Sequence, residues 1–159
     1  MKKGIRIALA AFFAVCLICF VFIKAFRLFM PYTEVIENNW GIALPSYGMK
    51  EIFSYSQPSP HGDGVRYHVL DYRAGDETKK GQDALFQLAK LFSGAPVPDE
   101  DEAERMEHLV GGIPGIPPRA ALPRDGRCLV KHYVKEDGSE LYLLRKADTE
   151  TVYVIENFI

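Results

Sequence analysis

Cysteine is scarce: the chain has three in 159 residues, and only Cys128 lies beyond residue 30. No disulfide can form within that later part, and a four-cysteine zinc site is excluded there. An excess of basic charge is missing as well, since 19 Lys and Arg stand against 21 Asp and Glu for a formal net charge of -2. A nucleic-acid binder is recognised by a basic stripe and a high pI, so no nucleic-acid partner is expected. There is no Gly-x-Ser-x-Gly, phosphate loop, dinucleotide fingerprint or His-Glu-x-x-His. The common enzyme classes therefore have no foothold, and no cofactor is expected. Finally, acidic residues are absent from the first 30 positions.

What that stretch does hold is the longest apolar run. Residues 7–23 carry no charge and no proline. As a helix they would span roughly 26 Å, a little short of a hydrocarbon core of about 30 Å. Lys24 and Arg27 share a helical face and can snorkel toward headgroups, which lets the segment continue to Met30. The expectation is an uncleaved transmembrane helix over residues 1–30. A cleaved signal peptide needs small residues at its end, where this run has bulky ones. Cys16 and Cys19 read as small hydrophobes, because bulky Val15 and Ile18 precede them where lipoprotein processing wants small residues. Lys2, Lys3 and Arg6 outnumber Lys24 and Arg27, which places the N-terminus in the cytoplasm. The expected location is the cell membrane, single-pass, with the C-terminal domain extracytoplasmic. That later part is acidic, with 14 basic and 21 acidic residues.

Residues 31–48 read as a lead-in, with a short helix capped by Thr33 and then extended chain before Pro45. Residues 49–159 read as one α+β domain. Strands are expected over 49–56 and 65–72, the first ending in a turn-rich stretch. Thr78 is a plausible N-cap for a helix in which Leu85, Leu88, Ala89 and Phe92 recur at helical spacing. A second helix over 99–110 places its acids in the first turns, where the helix dipole favours them. Residues 112–127 carry four prolines and read as a surface loop. Three strands close the chain, the first two joined at Asp137-Gly138. A two-residue turn there would set Val134 opposite Leu141 and His132 opposite Leu143. The order β-β-α-α-β-β-β gives a mostly antiparallel sheet with helices on one face.

Among the polar residues, His61-Gly62-Asp63-Gly64 followed by His68 stands out. Glycines on both sides of an aspartate permit unusual backbone angles, so an imidazole and a carboxylate can be held close. His61 beside Asp63 is a candidate acid-base pair, and His68 with His132 would add nitrogens for a metal. The plain alternative is that Gly-Asp-Gly only makes a turn while the histidines fill ordinary strand positions. His132 falls on an apolar face, and His108 lies near a helix C-terminus, where it suits the dipole. The six carboxylates among residues 99–107 lack the glycine turn of a calcium loop and read as a solvated helix face.

The apolar start, the Asn-Trp-Gly-Ile-Ala-Leu-Pro lead-in, the HGDGVRYHVLDY segment and the closing VYVIENF resemble small single-pass membrane-anchored bacterial proteins of uncharacterised function. Those proteins often carry an aromatic residue before HGDG, where this chain has Pro60. The resemblance implies topology and supplies no catalytic residue. The functional expectation is a membrane-tethered extracytoplasmic binding or interaction module of the cell envelope, with an envelope protein as partner and no metal. A variant of it has the proline loop recognise that partner. The alternative is a small metal-dependent or acid-base enzyme using His61, Asp63 and His68.

Overall fold

The computed structural model describes residues 12–13, 15–18, 20, 30–57, 59, 63–73, 78–123, 127–146 and 148–159. The chain divides into two units, Met1–Leu44 and Pro45–Ile159. In the first, residues 12, 13, 15–18 and 20 are helical with exposed side chains, and α1 (Tyr32–Trp40) follows. Thr33 does not cap this helix. Pro31 occupies the N-cap position, and the Thr33 hydroxyl is buried without a hydrogen-bond partner among the described residues. Gly41 ends α1 at φ 68, its N–H donating to the Glu37 carbonyl.

No helix among the described residues is long and apolar enough to cross a membrane. This overturns the transmembrane, single-pass anchor expected over residues 1–30. A crossing needs roughly 20 consecutive apolar helical residues, whereas the longest of the named helices, α2 (Lys79–Leu91), has 13. Of the expected anchor, residues 1–11, 14, 19 and 21–29 lie outside the described residues, Cys19 among them.

The second unit contains β1 (Lys50–Ser56), β2 (Gly64–Asp71), α2, α3 (Glu100–Gly111), a 3-10 turn (Pro118–Ala120), β3 (Cys128–Val134), β4 (Glu140–Lys146) and β5 (Thr151–Phe158). The strands form one antiparallel sheet in the order β1-β2-β5-β4-β3, so the last strand inserts between the two hairpins. Both long helices begin at side-chain caps. Thr78 Oγ1 accepts from the Gly81 N–H at 3.0 Å and Asp99 Oδ1 from the Glu102 N–H at 2.8 Å, each satisfying a donor that the helix leaves open.

Alternation along the strands sorts side chains onto two faces. One face carries Tyr67, Val69, Tyr153, Ile155, Tyr142, Leu144, Cys128 and Val130, in a core cluster that includes Met106 and Val110 of α3. The other carries Leu70, Leu141, Leu143, Val152 and Val154, all fully buried. β4 and β5 are buried on both faces, as the run of apolar residues at successive positions in β4 suggests.

One local expectation is also corrected. The β3–β4 connection is a three-residue loop, in which the Lys135 N–H donates to the Ser139 carbonyl and the Gly138 N–H to the Lys135 carbonyl. Gly138 sits at φ 86, the left-handed position that closes such a loop. The register consequently shifts by one, pairing Val134 with Glu140, Tyr133 with Leu141 and His132 with Tyr142. The proline-rich segment lies at the surface, with most of its described residues exposed, but two of its side chains anchor it to the core. Ile113 and Ala120 are buried in the core, with Ile116 and Leu122 packed against it. The Tyr67 hydroxyl reaches across to donate to the Ala120 carbonyl at 2.6 Å.

Candidate functional site

The residues singled out in the sequence are not gathered into one place. His61 and Gly62 lie outside the described residues. Asp63 is exposed and its Oδ1 accepts from the Ser59 hydroxyl, a local bond that steadies a turn. His68 is nearly buried on β2, with Nδ1 2.5 Å from Glu51 Oε1 across the β1–β2 hairpin. Four strand steps, about 14 Å, separate Gly64 from His68, so Asp63 and His68 do not converge.

His68 and His132 are further apart in their surroundings. Register places His68 in a row with Val154, Leu143 and Lys131, and His132 in a row with Tyr142, Ile155 and Tyr67. They therefore point to opposite faces, with β5 and β4 between their strands. Among the described residues, no group of three or more His, Cys, Asp or Glu is placed to hold a metal ion.

The structure instead brings together four groups from α3 and the β3–β4 hairpin. Glu140, the first residue of β4, is almost fully buried, and its Oε1 accepts from Arg105 Nη2 at 2.9 Å. The same oxygen lies 3.5 Å from His132 Nε2. The His132 ring stacks on Tyr142 with centroids 4.1 Å apart and planes 8° from parallel. Glu140 Oε2 and the Tyr142 hydroxyl are both buried with no hydrogen-bond partner among the described residues. Burial pushes the Tyr142 phenol above the ordinary tyrosine range, and the Glu140 carboxylate adds to the rise while Arg105 opposes it. A pocket of about 400 Å³ opens beside this cluster, with His132, Glu102, Lys131, Tyr133 and residues 93–96 in its walls.

Along α3, the side toward the proline-rich segment is apolar. One hollow of about 280 Å³ is walled by Pro98, Ala103, Met106, Leu122, Pro123, Cys128 and Leu144, with Glu107 as the one charged residue among the described residues. A second, of about 470 Å³, shares Glu107 and Leu122 with the first and adds Val110, Gly111, Ile113, Ile116 and Ala121. The two hollows adjoin at these shared walls and together form the groove side of α3. Volumes of a few hundred Å³ with mostly apolar walls are typical of small-ligand sites.

Arg105, Glu140 and Tyr142 were missed as site residues because their association depends on strand register. A two-residue turn at Asp137-Gly138 would set His132 against Leu143, which conceals the stack. The groove was missed because it requires the proline-rich segment to fold back onto the sheet. The Asp99–Glu107 acids do include an exposed face, but Glu102 lines the pocket. Compared with family profiles, curated proteins and solved structures, the chain matches none.

Proposed function

We propose that this chain is a non-enzymatic binding module and that the groove between α3 and the proline-rich segment receives a small apolar ligand. The observation that carries this reading is the pair of adjoining hollows with apolar walls and one carboxylate. Apolar surface exposed in a concavity gains from any ligand that removes it from water, at about 25 cal/mol per Å². The groove is held open from both sides. α3 is fixed by Met106 and Val110 in the core, and the proline-rich segment by buried Ala120 and its bond from Tyr67. Prolines restrict the segment further, so little ordering entropy is lost when a ligand enters. An enzymatic reading through His61, Asp63 and His68 draws no support from the described geometry.

The test is titration of the full chain with N-phenyl-1-naphthylamine, an uncharged apolar fluorophore. A saturable rise in fluorescence is expected for the wild type. Ala103→Phe, which fills the first hollow, should remove that component while leaving the melting temperature near the wild-type value. Identical titrations of the two proteins would sink the proposal.

A further inference from the structure

On the opposite flank of α3, we infer that the Glu140–Tyr142 cluster and the pocket beside it form a second binding site, for a small neutral polyhydroxylated ligand. Two buried polar atoms, Glu140 Oε2 and the Tyr142 hydroxyl, have no hydrogen-bond partner among the described residues. Buried polar groups in folded proteins are paired with protein, water or ligand, because leaving them unmet forfeits their solvation without return. Here the two belong to side chains on one face of β4, two residues apart along the strand.

The chemistry of the pair selects the ligand. Carboxylate oxygen Oε2 needs a donor, and the phenol can both donate and accept. A hydroxyl group offers both roles, and a ring bearing several serves both atoms at once. Neither sign of charge is selected, because Arg105 already pairs with Glu140 at 2.9 Å and the pocket wall carries one acid and one base, Glu102 and Lys131.

The way in is also visible. His132 lines the pocket and stacks on Tyr142, so its ring stands between the pocket and the buried phenol. Arg105 covers Glu140 with a side chain that is itself 59% exposed, and neither group is locked by packing on all sides. A turn of His132 or a swing of Arg105 opens the buried pair to the pocket. The pocket, about 400 Å³, is large enough for one sugar ring.

Ligand-observed saturation-transfer NMR on the full chain tests this, with D-glucose and myo-inositol as probes. Transfer to ring protons of at least one polyol is expected with the wild type. Tyr142→Phe and Glu140→Gln should each weaken binding tenfold or more. Ala103→Phe, on the other flank, should leave it unchanged, which separates this site from the groove. Should a core variant fail to fold, His132→Ala replaces it, with the same tenfold loss expected. Absence of transfer from the wild type to both polyols would overturn the assignment and leave buried water as the partner of the two atoms. Binding by the folded variants within twofold of the wild type would overturn it equally.

Discussion

The two flanks of α3 meet the rest of the domain by different physics. Toward the proline-rich segment, Met106 and Val110 enter a core made of aliphatic and aromatic side chains, and the space left over is an apolar groove. Toward the β3–β4 hairpin, Arg105 docks on a buried carboxylate, and the space left over is a polar pocket beside two unmet hydrogen-bonding atoms. Apolar contact is non-directional and tolerates small displacements. A buried ion pair depends on one geometry and becomes a liability when either partner is removed. One helix thus carries a forgiving surface and an exacting one, which meet at the adjacent residues Arg105 and Met106.

That contrast can be broken most directly at Met106. Met106→Ala should lower unfolding free energy by about 3 kcal/mol, through lost burial and the cavity left behind, as read from urea denaturation. Arg105→Ala comes next. It leaves the Glu140 carboxylate with only His132 nearby, and a loss of about 2 kcal/mol is expected, less than for a fully buried pair because the arginine is partly solvated. A larger loss for Arg105→Ala than for Met106→Ala would reverse the comparison and make the ion pair the main attachment of α3.

The smallest effect sharpens the apolar side. Tyr67→Phe removes the bond to the Ala120 carbonyl and should cost about 1 kcal/mol. It also changes the alkaline response. Burial holds the Tyr67 and Tyr72 phenols above their ordinary value of 10.0. Their contribution is therefore intact below that pH in the folded state and is lost as pH rises past it, because the unfolded chain gives up those protons first. Urea midpoints at about pH 8 and about pH 11 should fall with pH in the wild type and fall less in Tyr67→Phe, which keeps the shares of the other raised phenols, Tyr72, Tyr133 and Tyr142. An equal fall in both would mean Tyr67 does not contribute.

The chain's local chemistry was legible where the relevant atoms are close in sequence. Thr78 caps α2 through a residue three positions on, and Asp99 does the same for α3. Asp137-Gly138 marks the β3–β4 hairpin, and the β-branched and aromatic residues of β2 and the unbroken apolar run in β4 mark their strands. Such signals act within a turn of helix or across one loop, so the element order from Lys50 onward follows from them. Thr33 shows the limit of this kind of reading, since the N-cap position of α1 falls on Pro31, two residues before it.

What only the tertiary structure decided is how those elements meet. A third residue in the hairpin loop, with Gly138 in the left-handed region, moved every β3–β4 pair by one and set His132 on Tyr142 rather than opposite Leu143. Folding back of the proline-rich segment made a surface loop the wall of a groove. Burial of Glu140 at the mouth of β4 made an ordinary acid into the centre of a polar cluster. Composition did determine that the domain would have to fold without disulfides and would carry an acidic surface. It could not determine which polar residues would be enclosed, because burial is set by pairing across the sheet and not by neighbours along the chain.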